Sequence, residues 1–246
     1  MSRFLEREVG KLGKGRDKTT AGLVKTYVAA SKAVREAFGE IPLPTRVRPE
    51  KPVRSTKTEW ARSSLSKETQ KLIERMEKDG YAVYQASGKT PESLREEGMR
   101  YSYLNPKLEN LTAEPAILAF KIDPSQFYLQ GSQNIPFEDQ VKLLPEEQER
   151  GDKEYPSAGL IVRVGHFPEW PELALMHFKK TGVRIHGKDY GYNWTFTDTY
   201  ESDQPGAGRA VAGYWVGADG FHGYFWFPGT VYPDLGLAPL VVIPRK

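Results

Sequence analysis

The chain has 246 residues, of which 39% are hydrophobic and 27% are charged, and it contains no cysteine. This composition can supply a hydrophobic core, and it excludes generic disorder, disulfides, thiolate catalysis, zinc fingers and iron–sulfur clusters. The start of the chain has no apolar stretch typical of a secretory signal, and no run approaches the roughly 20 apolar residues that span a bilayer. We therefore expect a soluble, cytoplasmic protein with no membrane association.

The net charge of +3 is unevenly distributed along the chain. Residues 1–62 contain 15 Lys and Arg against 7 Asp and Glu, whereas residues 63–246 contain 20 against 25. The first segment therefore has a net charge of +8 and the second a net charge of −5. Such an asymmetry is typical of a basic arm attached to a mildly acidic body.

The basic segment divides into two predicted parts. Residues 1–40 are predicted to form a basic helical arm, because Leu23, Tyr27 and Val34 recur at helical spacing. Residues 41–62 open with four prolines in 14 residues, IPLPTRVRPEKPVR, and proline is unsuited to helices and central strands. We predict that this second part is an extended linker or strap, and that 63–246 is a single α+β domain.

Hydrophobic periodicity and capping residues predict the elements of the body in chain order. Helices are expected at 66–79, from Thr90 and Pro91 to Gly98, from Pro136 toward Leu144, and at 168–180. Strands are expected at 81–86, 100–104, 116–122, 160–164, 183–186, 190–199, 211–216, 221–227 and 239–243. The fold class is α+β, with a mixed α/β middle followed by a C-terminal, aromatic-rich antiparallel sheet.

The strand expected at 190–199 alternates strictly between two kinds of side chain. This period of two predicts one buried aromatic face and one solvent-facing polar face. The aromatic face contains Tyr190, Tyr192, Trp194 and Phe196, and the polar face contains Gly191, Asn193, Thr195, Thr197 and Thr199.

The strand expected at 221–227, FHGYFWF, is aromatic on both faces. One face is predicted to be core, and it carries Phe221, Phe225 and Phe227. The other face is either buried as well or lines a cleft, because rings with polar groups stack on sugars and hydrogen-bond their hydroxyls. The candidate ligand-binding residues on that face are His222, Tyr224 and Trp226.

Four residues are candidates for acid–base catalysis. Glu201 and Asp203 lie on a glycine-rich loop between two strands, and His222 and Tyr224 lie on the strand at 221–227. Carboxylates on such a loop could transfer protons to a bound substrate. The alternative is an ordinary solvated loop and a structural strand.

Two further motifs are assigned structural roles. Ser87-Gly88-Lys89-Thr90 lacks the earlier glycine of a phosphate-binding loop, so it is interpreted as a turn capped by Thr90. The four histidines lack metal-ligand spacing, and His177 falls on the apolar face of its helix, where a core histidine is expected. No metal and no cofactor is predicted.

The resulting functional prediction is a binding protein whose residues 1–62 dock to a protein partner or, without sequence preference, to nucleic-acid phosphates. The expected contacts are Lys25, Lys32, Arg35, Arg46 and Arg48. The alternative is a hydrolase or transferase that acts on a hydroxyl-rich small ligand in a cleft of the aromatic sheet. The sequence indicates no oligomeric state.

Deletion of residues 1–54 is expected to leave the body folded, because the charge changes sign across the proline-rich segment. The measurement is thermal unfolding of the 55–246 fragment beside the full chain. A molten or insoluble fragment would show that the arm contributes to the core.

Overall fold

A computed structural model describes residues 62–186, 194–203, 207–213 and 220–245. The predicted arm and nearly all of the predicted linker lie outside these residues, as do the five basic contact residues named above. Within the described residues, no helix is both long enough and apolar enough to cross a membrane. The α+β class is confirmed, since helices and two sheets are both present.

The first two helices begin at residues whose side chains cap them. In α1, Lys67–Lys78, the Ser66 side chain accepts a hydrogen bond from the Thr69 backbone N, and Ile73 and Met76 are buried. In α2, Pro91–Glu96, the Thr90 side chain caps the helix by accepting from the Ser93 N. The later helices are α3, Phe137–Val141, α4, Leu144–Glu154, and α5, Glu169–Thr181. Short 3-10 turns lie at Arg62–Ser64 and Pro106–Leu108.

One sheet has four antiparallel strands. In spatial order, they are β1, Tyr81–Ala86, β3, Ala116–Lys121, β9, Pro239–Ile243, and β4, Ile161–Val164. The last strand of the chain therefore lies inside the sheet that the first strand begins. The pairing of β9 with β3 and β4 joins distant parts of the sequence, and the buried α5 packs against β1.

The other sheet has five strands in mixed orientation. In spatial order they are β2, Tyr101–Leu104, β7, Phe221–Trp226, β6, Arg209–Gly213, β5, Trp194–Tyr200, and β8, Leu235–Gly236. The pairs β2–β7 and β5–β8 are parallel, and the two pairs made by β6 are antiparallel. The prediction of a purely antiparallel C-terminal sheet is therefore wrong, because parallel pairing depends on long crossovers that no local pattern reveals.

Three local predictions are wrong as well. Residues 183–186 contain a turn rather than a strand, and His186 adopts a φ of 54° there. Phe227 is 74% exposed, because β7 ends at Trp226 before Phe227 can join a core face. Thr195 and Thr197 are fully buried instead of solvent-facing. Their hydroxyls are satisfied internally, since Thr195 Oγ1 accepts from Ala238 N and Thr197 Oγ1 donates to Ala210 O.

The expectation that His177 is a core histidine is confirmed. The side chain is 4% exposed, and its Nδ1 lies 2.8 Å from the Tyr84 hydroxyl on β1. Burial lowers the pKa of His177 to about 4, and the charge of Lys180 acts in the same direction. The ring therefore remains neutral in the folded protein at all but acidic pH.

His177 is expected to make folding stability depend on pH. Between about pH 4 and pH 6.5, the unfolded chain takes up a proton that the folded protein excludes, so the free energy of unfolding falls as pH falls. The contribution is fully present above pH 6.5, and about 3 kcal/mol of it is lost by pH 4. Urea unfolding across this range should show a smaller loss of stability with falling pH in the His177→Gln variant than in the native protein.

His166→Gln is the matched control for this experiment. The hydrogen bond that the protonated His166 ring donates to Asp198 raises the pKa of His166, so this histidine stabilises the fold below pH 6.5 and loses that contribution as pH rises above it. Between pH 4 and pH 6.5, His166→Gln should therefore lower the free energy of unfolding without changing its slope. Parallel profiles for the native protein and His177→Gln would contradict the assignment.

Candidate functional site

The predicted ligand-binding residues of β7 form an aromatic cluster around Trp194. His222, Tyr224 and Trp226 are each half-buried, and their ring centroids lie 5.7, 4.9 and 5.7 Å from that of Trp194. Trp194 itself is 6% exposed, as expected for a core residue. Ligand binding at these three residues stays a prediction, because the cavity found in this sheet is lined by other side chains.

The candidate catalytic carboxylates have different surroundings. The carboxylate of Glu201 accepts a hydrogen bond from Lys107 Nζ at 3.0 Å, and its backbone N donates to Gly208 O. Asp203 is exposed and lines the cavity. Neither His222 nor Tyr224 lines that cavity, so it brings together only one of the four candidates. A catalytic role for any of them stays a prediction.

The cavity lies where the hairpin of β5 and β6 meets α3 and the turn after β7. It is an open depression of about 960 Å³. Two backbone bonds hold its margins together: Phe137 N donates to Pro228 O, and Glu201 N donates to Gly208 O. The lining residues come from three segments: Phe137, Glu138 and Val141; Tyr200, Ser202, Asp203, Ala207 and Arg209; and Phe227, Pro228 and Gly229.

Arg209 is the most unusual side chain of the cavity. It is the first residue of β6, it pairs with Tyr200 across the hairpin, and it is only 5% exposed. The guanidinium carbon lies 3.8 Å from the ring centroids of both Phe137 and Tyr200. The charge is therefore in close contact with two aromatic rings, an arrangement that favours arginine over lysine.

The hydrogen bonds of Arg209 leave donor capacity unused. Nη1 donates to the Thr197 carbonyl at 3.0 Å, whereas the buried Nε has no partner among the described residues. Within the same part of the chain, no carboxylate lies within ion-pair distance of this guanidinium. Burial lowers the pKa of Arg209, and the interaction with the Tyr200 hydroxyl, followed by the charges of Asp198 and Glu138, opposes that shift. An arginine nevertheless stays protonated in a protein, so the site carries a buried positive charge.

Arg163 shows what a structurally paired arginine looks like in this fold. Its guanidinium binds both carboxylate oxygens of the buried Glu169, which also accepts a hydrogen bond from the His166 backbone N. The pair links the end of β4 to the start of α5. Arg209 is more deeply buried than Arg163, whose side chain is 25% exposed, and yet it lacks such a carboxylate.

A histidine–aspartate pair joins the segment before α5 to β5. His166 Nδ1 is 2.7 Å from Asp198 Oδ1, and this hydrogen bond raises the pKa of His166. The side chains are 46% and 33% exposed, and neither residue lines the cavity. Such a pair can exchange a proton with solvent.

The turn Ser87–Thr90 is held by a protein carboxylate. Glu172 on α5 is 3% exposed and accepts from Ser87 N, Ser87 Oγ and Gly88 N at 2.9, 2.6 and 3.2 Å. These donors are therefore already used, in agreement with the structural interpretation of the motif. Among the described residues, no group of three His, Asp or Glu side chains is arranged to hold a metal ion.

Sequence reasoning missed Arg209 and the His166–Asp198 pair. One signal was available: Arg209 is the lone charged residue in RAVAG, a segment that is otherwise small and apolar. Asp198 similarly interrupts the threonine and aromatic alternation of WTFTDTY. Both charges stand at positions where the local pattern predicts neutral side chains.

Comparison with known proteins gives no relative from which a function could be transferred. No family model, no curated protein and no solved structure matches the chain.

Proposed function

We propose that the protein binds a small organic anion in the cavity at Arg209. The observation that carries this proposal is an arginine that is 5% exposed, lines a cavity and has no carboxylate within ion-pair distance among the described residues. A cavity of about 960 Å³ is at the upper end of the range typical of small-molecule sites, about 300–1,000 Å³.

The physical basis is the cost of burying an unpaired charge. Buried charges in proteins are normally paired or fully hydrogen-bonded: Glu169 pairs with Arg163, and Glu172 accepts three hydrogen bonds from the Ser87–Gly88 turn. Stacking between Phe137 and Tyr200 stabilises the Arg209 cation without neutralising it. A carboxylate or phosphate group on a ligand would supply the missing negative charge and accept hydrogen bonds from the guanidinium.

The acid–base groups that line the cavity include two carboxylates, those of Glu138 and Asp203. A hydrolase or transferase needs a proton-transferring group within hydrogen-bond reach of the bound substrate, and either carboxylate could supply it. The His166–Asp198 pair is not part of the lining. A hydrolase or transferase that uses Glu138 or Asp203 is therefore the second candidate function.

Arg209→Gln is expected to weaken anion binding at least about tenfold, because a charge-assisted hydrogen bond contributes about 1.5–3 kcal/mol. The probes are inorganic phosphate and benzoate, titrated calorimetrically into the full chain at constant ionic strength. Arg209→Lys should be intermediate, since lysine keeps the charge but loses the planar fork. Equal affinities in all three proteins would refute the proposal.

Arg95→Gln is the matched control. Arg95 is an exposed arginine on α2 whose guanidinium pairs with Glu92 and Glu109, outside the cavity. Its replacement should leave phosphate and benzoate binding unchanged. A loss as large as that of Arg209→Gln would indicate a general charge effect instead of a site.

We further propose that residues 1–62 dock to a protein partner or to nucleic-acid phosphates. The net charge of +8 in this segment supports electrostatic contact, which is strongest with a polyanion. The residues proposed to make these contacts are Lys25, Lys32, Arg35, Arg46 and Arg48.

If the segment contacts nucleic acid, binding should be independent of sequence and steeply dependent on salt. Neutralisation of about five phosphates gives a slope of log K against log salt of about −4 to −5. Changing Lys25, Lys32 and Arg35 together to Gln should reduce that slope by about 3, measured by fluorescence anisotropy. The control changes three exposed lysines of α1, namely Lys67, Lys71 and Lys78. No binding at about 50 mM salt would leave a protein as the partner.

A further inference from the structure

Two aromatic rings at the cavity are exposed to an unusual extent. Tyr200 is 56% exposed and Phe227 is 74% exposed, and both line the cavity. They come from different segments, since Tyr200 ends β5 and Phe227 follows β7. Solvent-exposed aromatic faces that border one cavity are suited to stack on the face of a ring-shaped ligand.

The polar groups of the cavity are of two kinds. Arg209 is buried, whereas Glu138, Ser202 and Asp203 are exposed. Carboxylate and hydroxyl oxygens accept hydrogen bonds from ligand hydroxyls. The two carboxylates also oppose a second negative charge on the ligand, because like charges in a partly desolvated site repel.

We propose that the ligand is a hydroxyl-rich ring with a single acidic substituent, that is, a monosaccharide that carries one carboxylate or one phosphate. This inference rests on the proposed anion site at Arg209 and adds the rest of the ligand. The acid contacts Arg209, one face of the ring stacks on Tyr200 or Phe227, and the ring hydroxyls donate to Glu138 and Asp203. Ligands with several acidic groups, such as nucleoside diphosphates, are disfavoured by the same two carboxylates.

The test is a comparison of small probes that separate these features. D-Glucuronate and D-glucose 6-phosphate both carry the ring, the hydroxyls and one acid. They show whether the site prefers a carboxylate or a phosphate as the acidic group. D-Glucose lacks the acid, benzoate lacks the hydroxyls, inorganic phosphate lacks the ring, and ADP carries extra charge. Calorimetric titration of the full chain should give the better of the two sugar acids at least about tenfold higher affinity than glucose, benzoate, phosphate or ADP.

Phe227→Ala tests the stacking contact. Because Phe227 is 74% exposed, this change should leave the protein folded. It should lower the affinity for the preferred sugar acid by about three- to tenfold and leave the affinity for inorganic phosphate unchanged. The control is Val231→Ala, since Val231 is 46% exposed, lies four residues further along and does not line the cavity. Asp203→Ala should likewise lower the affinity for the sugar acid more than it lowers the affinity for benzoate.

The outcomes separate this inference from the proposed function. Arg209-dependent binding of phosphate or benzoate, with no gain for either sugar acid, would overturn the inference and keep the anion site. Equal affinity for benzoate and glucuronate would overturn the role of the hydroxyls. Absence of binding by every probe would overturn both proposals.

Discussion

The buried polar side chains of α5 require partners, and that requirement fixes much of the structure. Glu169, Glu172 and His177 are all nearly inaccessible to solvent, and each is matched by a group on another element. Their partners are Arg163 on β4, the Ser87–Gly88 turn and Tyr84 on β1. Leaving any of these groups unpaired would cost about 1–3 kcal/mol or more, so α5 has one favourable position on its sheet.

The residues that precede α5 attach the helix to the second sheet. Gly165 O accepts from Asp198 N, and Phe167 N donates to the Thr199 hydroxyl, so this segment is attached to β5 by two hydrogen bonds. Gly165 is constrained as well, because a Cβ there would lie 2.7 Å from both Leu240 and Trp170. The packing of α5 therefore fixes the position of the end of β5. Tyr200 is the last residue of β5, and its ring centroid lies 3.8 Å from the guanidinium carbon of Arg209.

Capping and periodicity predicted most helices and several strands because these signals are local. Ser66, Thr90 and Pro91 act at the ends of their own helices. The sheet arrangement could not be predicted in this way, because β9 joins β3 and β4 across long stretches of sequence. The solvent-facing assignment of Thr195 and Thr197 failed because a threonine hydroxyl can be satisfied by the backbone of a neighbouring strand, which the alternation of side chains does not reveal.

The candidate site was less predictable than the fold. Arg209 acquires its surroundings only when β6 pairs with β5, which brings Tyr200 alongside, and when Phe137 N bonds to Pro228 O, which brings α3 across the cavity. Each contact joins segments that are separated in sequence, and residue type alone suggested a solvated charge on a loop. The many aromatic residues of the C-terminal region are visible in the sequence, but the sequence does not show that an aromatic ring contacts the charge of Arg209.

The two rings beside Arg209 explain how this arginine can be buried and still keep a hydrogen-bond donor for a ligand. A carboxylate partner would stabilise the charge and also occupy the donors that face it, as Glu169 does for Arg163. Two aromatic rings, each with its centroid 3.8 Å from the guanidinium carbon, stabilise the charge and leave Nε without a partner among the described residues. Another donor of the guanidinium, Nη1, is used by the Thr197 carbonyl. The aromatic pairing thus maintains a desolvated positive charge in the folded protein before any ligand is bound, and in such surroundings its attraction for an anion is much stronger than in water.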